Sequence, residues 1–165
     1  MKKRVVITGE GSISPLGHDS KSLWKSLVKG NSGIDYISGF NTENFSVKIA
    51  GEVKDFDPID FFDAKEARKL DRFTMFSLIA ASQALKSSKN NSNEAGVIVG
   101  TGVGGMHTLE KEHQKLLDKG QRGVSPFFVP KMIPNIAGGQ IAIKYNLYGL
   151  NFSMSTACSS ATDAI

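Results

Sequence analysis

At 165 residues and 40% hydrophobic content, the chain is long enough to bury one core of ordinary size and gives no reason to divide it into two domains. It holds no apolar run of the roughly 18 residues that a membrane helix requires, and its short basic start passes straight into a strand-like run, which is not the pattern of a secretory leader. Twenty basic against sixteen acidic residues leave a net charge of +4, too mild for a general nucleic-acid binder, and the single cysteine rules out an internal disulfide. A soluble, cytoplasmic protein is the expectation.

Val5, Val6 and Ile7, followed by Gly9 and Gly11, predict a buried strand running into a turn. Residues 19–29 predict a helix stopped by Gly30. Residues 31–58 scatter Gly, Asn and Asp among short apolar runs, so loops with one or two short strands are expected there. From 64 to 86 the apolar positions Leu70, Phe73, Phe76, Ala80 and Ala84 recur at helical spacing. Within that stretch Lys65, Arg68, Lys69 and Arg72 fall at i, i+3, i+4 and i+7, which places four cations on one face of a helix. Such a face attracts an acidic partner, although a solvated basic stripe is the plainer account.

The polar stretch 89–94 predicts a turn, 95–99 a strand, and 108–119 a helix. Pro126, Pro130 and Pro134 punctuate the next segment before a helix at 137–145 and a turn at Gly149. Residues 151–156 alternate as a strand does and lead directly to Cys158. The following SSATDAI reads as the start of a helix with no stop signal, so the chain is expected to end inside that helix. Strands alternating with helices predict an α/β fold with a largely buried sheet.

Cys158 therefore sits where a strand ends and a helix begins. There its sulfur faces unpaired amides and the positive end of the helix dipole, which lowers a thiol pKa and exposes a nucleophile. A small buried apolar cysteine is the alternative, and the small neighbours Ala157, Ser159, Ser160 and Ala161 favour an approachable one. His18, His107 and His113 form no triad or metal spacing with it and read as solvated or capping residues. The run from Gly100 to Gly105 satisfies G-x-G-x-x-G, the dinucleotide pattern, but residues 119–126 supply no second strand ending in an acidic residue. A tight strand-to-helix turn is the simpler reading.

RVVITGEGSISPLG at 4–17, KEARKLDRFT at 65–74, GTGVGG at 100–105, SPFFVPKMIPNIAGGQIAIKYNL at 125–147 and STACSSA at 155–161 together resemble the β-ketoacyl-acyl carrier protein synthases of the thiolase-like superfamily, most nearly the KAS II type. The likeness runs the whole length. It implies a thiolase-like layered α/β fold, of which this chain is the N-terminal part, with the C-terminal half lying beyond Ile165. It also implies that Cys158 takes an acyl group as a thioester from an acyl carrier protein, and that decarboxylated malonyl attacks it. The backbone amide of Cys158 would serve the oxyanion hole. Val103 would line the acyl pocket, and Phe128 would reach across a homodimer interface near the strand before Cys158. Lys65, Arg68, Lys69 and Arg122 would receive the acidic carrier. No cofactor is implied, since the phosphopantetheine arm belongs to the partner.

Two positions depart from the family pattern. Glu10 stands where an apolar residue is usual, and Leu150 where a proline is usual, which bears on the turn before the cysteine-bearing strand. The family's two catalytic histidines and its active-site lysine lie in the C-terminal half, and none of the three histidines here matches their motifs. The resemblance thus implies no condensing activity for these 165 residues alone. A ketosynthase of polyketide type, or a non-catalytic carrier-binding module, is the competing reading.

Overall fold

The computed structural model describes residues 4–88 and 92–165; residues 89–91 of the expected polar turn lie outside the described residues. In chain order the elements are α1 (Ser20–Val28), β1 (Ile34–Tyr36), β2 (Ile49–Gly51), α2 (Ala64–Ala67), α3 (Arg72–Ser88), β3 (Val97–Gly100), α4 (Met106–Lys119), α5 (Phe128–Met132), α6 (Ile136–Tyr145), β4 (Asn151–Met154) and α7 (Ser160–Asp163). Short 3-10 turns occupy Pro58–Asp60, Gln121–Gly123 and Ala157–Ser159. Two compact units result, one made of the chain up to Asp57 with α3 from Ile79 onward, the other of Pro58–Leu78 and residues 92–165.

In the first unit, α1 begins as its sequence requires. The Asp19 carboxylate accepts the Ser22 amide at 2.8 Å while the Asp19 amide donates to the Ser22 hydroxyl, a reciprocal cap. The Ser22 amide also holds the Asp19 carboxyl below its ordinary value. Gly30, at φ 69°, ends the helix by returning its amide to Leu27. β1 and β2 pair antiparallel, Ile34 opposite Gly51, and supply the two short strands expected in the loop region.

The first predicted strand is a correction. Val5, Val6 and Ile7 are 95%, 63% and 91% exposed and belong to no strand. Strand propensity needs a ladder to pair with, and among the described residues the ties of this segment to α3 begin later, where the Glu10 and Ser12 amides donate to the side chains of Ser87 and Gln83.

The second unit is organised around a parallel pair, β3 and β4, in register from Val97 opposite Asn151 to Gly100 opposite Met154. α6 packs on it, with Ala137, Gly138 and Ile141 of the helix and Val97 of β3 buried. The face with Ile98 and Phe152 is open. It forms the floor of a groove of about 450 Å³ that is also lined by Glu94, Gly96 and Leu150. The sheet is therefore half covered among the described residues, and not largely buried as its apolar runs suggest. Leu150, in the proline position, leaves the turn intact: its carbonyl accepts the Val97 amide at 2.8 Å, and the Tyr148 and Gly149 amides donate to Asn93 and Ala95.

The long helix expected at 64–86 is broken in two, and Asp71 breaks it. Its carboxylate is buried and accepts three hydrogen bonds, from the Phe73 amide at 3.0 Å, the Thr108 amide at 2.9 Å and the Thr108 hydroxyl at 2.5 Å. One oxygen thus caps α3 and the other anchors the first turn of α4. The chain between Arg68 and Asp71 leaves the helical path to allow it, so the four cations do not share one helical face.

A second buried carboxylate, Glu112 on α4, accepts Lys115 Nζ at 2.6 Å and the Ser125 amide at 2.7 Å. The Lys115 ammonium, then the Ser125 amide, hold its carboxyl below the ordinary glutamate value. A depressed carboxyl contributes stability above its unfolded pKa and loses it as pH falls through the folded value. Glu112→Gln should therefore cost about 1–3 kcal/mol near pH 7, and the deficit should shrink as pH drops below about 4. Urea unfolding at both ends of that range reads the difference, and an equal deficit throughout would contradict it.

Candidate active site

β4 delivers the chain through Ser155 and Thr156 to a 3-10 turn, Ala157–Ser159, and then to α7. Cys158 lies in that turn with its thiol free and exposed. It is neither inside a strand nor packed among apolar side chains. Ala157, immediately before it, has φ 53°, a left-handed conformation that lifts the cysteine off the line of the strand. Cys158 stands two residues before the start of α7.

A ring of polar side chains ties this turn together. The Thr156 amide donates to the Ser160 hydroxyl at 2.9 Å, which donates to the Ala157 carbonyl at 2.7 Å. The Thr156 and Ser159 hydroxyls both donate to the Asp163 carboxylate. Sequence reasoning passed over Asp163, though Thr156, Ser159 and Asp163 stand at i, i+3 and i+7, the spacing of neighbours on one helical face. It also passed over Asp71, whose place just before an apolar-periodic run is an N-cap signature.

The glycine-rich turn lies alongside the cysteine turn. The Thr101 amide donates to Met154 and continues the ladder, and the Ser155 hydroxyl donates to the Gly102 carbonyl at 3.0 Å. Gly100 is required by contact: a Cβ there would stand 2.2 Å from the Ser160 carbonyl oxygen. Val103 is carried at the tip of this turn, 58% exposed. The dinucleotide pattern has no room to operate, because the Asp71 carboxylate already holds the Thr108 amide in the first turn of α4. A carboxylate occupies the place that a pyrophosphate would take.

Phe128 opens α5, half-buried, with its amide bonded to Ser125. No hydrogen bond joins it to the cysteine turn among the described residues. His18 lies in the first unit with Nε2 at 2.9 Å from the Lys54 carbonyl, and His107 and His113 are exposed on α4. None of the three hydrogen-bonds to Cys158.

Lys65, Arg68 and Lys69 remain exposed although their helix is short. Arg68 donates to the Ala64 carbonyl, and Lys69 Nζ stands 5.8 Å over the Phe127 ring. Lys131 donates to the Arg68 carbonyl from below at 3.2 Å. Partial burial lowers the Lys131 amine below the lysine range, and the nearby Asp71 opposes that. Arg122 is exposed in the 3-10 turn Gln121–Gly123. Arg72 departs from the group, its guanidinium stacked 4.9 Å over Phe76.

Solved structures that share this fold include ketosynthases. The fold is shared with the ishigamide ketosynthase/chain length factor, at a TM-score of 0.83 and 24% identity over 94% of this chain and 40% of that one. It is shared also with a beta-ketoacyl synthase from Burkholderia phymatum, at a TM-score of 0.77 and 22% identity over 99% and 42%. A type II PKS ketosynthase, solved in complex with its acyl-carrier protein, superposes at a TM-score of 0.79 with 25% identity over 99% and 44%.

Residues 2–165 match the beta-ketoacyl synthase N-terminal domain, and the chain belongs to that family. It is 47% identical to 3-oxoacyl-[acyl-carrier-protein] synthase 2 of Staphylococcus aureus (strain COL) over 99% of its own length and 41% of that protein. The Vibrio harveyi protein of the same name is 44% identical over 95% and 39%. The chain thus spans about two-fifths of the length of the curated relatives it matches.

Because Gly100 admits the Ser160 carbonyl, Gly100→Ala should force β3 and the cysteine turn apart at a cost of about 1–3 kcal/mol. Chemical denaturation measures this, and a loss below about 0.5 kcal/mol would show that the contact is not limiting.

Proposed function

We propose that this chain carries the nucleophile of a fatty-acid condensing enzyme. The observation that supports it most directly is the free, exposed Cys158 thiol, set at the exit of β4 beside the glycine-rich turn. In this reading the Cys158 sulfur attacks the thioester of an acyl carrier protein, takes the acyl group and releases the carrier's phosphopantetheine thiol. A malonyl group on a second carrier then loses carbon dioxide, and the resulting carbanion attacks the acyl carbonyl. A carbon–carbon bond forms, the sulfur leaves, and a β-ketoacyl carrier results. The amide of Cys158 serves as one oxyanion donor. Val103 lines the acyl pocket, and Phe128 reaches across a homodimer interface near β4.

The enzyme in this reading is cytoplasmic and uses no cofactor of its own. The groups that decarboxylate malonyl are assigned in this reading to the part of the relatives' length that this chain does not span. The 165-residue chain alone is accordingly expected to give no condensation and slow or no acylation. Extended to the relatives' length and incubated with an acyl carrier, the protein should gain one acyl mass, and Cys158→Ala should abolish it. Intact-mass spectrometry settles the matter: an unmodified extended protein, or robust condensation by the 165 residues alone, would count against the proposal.

The superposition on a type II PKS ketosynthase favours a polyketide reading. The fatty-acid reading has the stronger support, since identity to the 3-oxoacyl synthases is 44–47% against 22–25% for the structural neighbours.

The partner in this proposal is an acidic acyl carrier protein, met by Lys65, Arg68, Lys69 and Arg122 through charge complementarity. Reversing Lys65, Arg68 and Lys69 to Glu together should weaken carrier binding by about tenfold or more at low salt, and the gap should narrow as salt rises. Titration calorimetry at two ionic strengths tests this. An unchanged affinity would remove the patch, and would leave Cys158 acylation to stand or fall by its own experiment.

A further inference from the structure

We propose that Asp163 is the positioning residue of the cysteine turn. Resting on the reading of Cys158 as acyl acceptor, the proposal is that this one carboxylate holds the residues on both sides of Cys158 and thereby fixes the turn that presents the thiol and its amide. Asp163 Oδ2 accepts the hydroxyl of Thr156, two residues before the cysteine, and at 3.2 Å that of Ser159, the residue after it. The Ser159 hydroxyl also lies 2.9 Å from the Thr156 carbonyl and 3.1 Å from the Thr156 hydroxyl, which closes the ring. A carboxylate oxygen accepts both hydroxyls, the Thr156 proton pointing to it and the single Ser159 proton shared between it and the Thr156 carbonyl.

The turn needs such a tie. Ala157 adopts φ 53°, and a left-handed residue other than glycine costs about 1–3 kcal/mol, a conformation that persists only where its surroundings enforce it. The enforcing contacts visible here are the Asp163 bonds to Thr156 and Ser159, and the buried Ser160 hydroxyl that joins the Thr156 amide to the Ala157 carbonyl. Ser160 opens α7 directly after the turn and ties it through its hydroxyl. Asp163 is the outside member, reaching back from the end of α7.

Amide hydrogen exchange on the 165-residue chain tests the assignment. Asp163→Ala should raise exchange at the Thr156 and Ser159 amides by roughly tenfold while the α6 amides keep their protection. Thr156→Val, which keeps the shape and removes the donor, should reproduce most of that rise. Asp163→Asn retains an acceptor oxygen in place and should restore protection to within about threefold of the parent. Unchanged exchange in both Asp163→Ala and Thr156→Val overturns the proposal. So does an Asp163→Asn chain as unprotected as Asp163→Ala, which would assign the effect to charge. Should Asp163→Ala fail to fold, Thr156→Val and Asp163→Asn carry the same comparison. The measurement uses no carrier and no thioester, so a failed clamp leaves the acyl-transfer reading intact, and a failed acylation leaves the clamp intact.

Discussion

The contact on which the site depends is the approach of the Ser160 carbonyl to Gly100. It is permitted because Gly100 lacks a Cβ, and it sets the turn after β4 against the end of β3. The parallel register carries the two strand ends to the same level, Gly100 opposite Met154. Everything chemical follows from that level: the glycine turn carrying Val103 leaves one strand, the turn carrying Cys158 leaves the other, and the Ser155–Gly102 hydrogen bond joins them. A bulkier side chain at Gly100 would separate Cys158 from the loop placed beside it.

A second constraint works in the same unit, at the far end of the glycine-rich turn. Two buried carboxylates, Asp71 and Glu112, are satisfied by named protein donors. Asp71 gives up the continuity of a helix to do so. What looked like one amphipathic helix is a helical turn, a reorientation and a long helix, because a satisfied buried charge outweighs the propensity of four intervening residues.

Much of this was legible in the sequence. The cap at Asp19, the stop at Gly30, the helices that became α4 and α6, and the strand leading to Cys158 followed from periodicity and punctuation, which are local. What was not legible required partners distant in sequence. Val5 to Ile7 have strand propensity but join no strand among the described residues, and no local pattern reveals whether a ladder exists. Asp71 looked like one more polar position because its decisive partner, Thr108, is far along the chain. Ile98 and Phe152 read as core and stand on a bare face, since alternation tells which residues share a side and not what covers it.

The fixing of the cationic segment has a thermodynamic consequence. Lys69 rests on the Phe127 ring and the Arg68 carbonyl is held by Lys131, so the backbone bearing these charges is anchored to α5 and the residues just before it. An acidic surface arriving there meets charges whose spacing is already set, and little ordering entropy remains to be lost on contact. Charge-driven contact of that kind is fast to form and easily reversed by counter-ions.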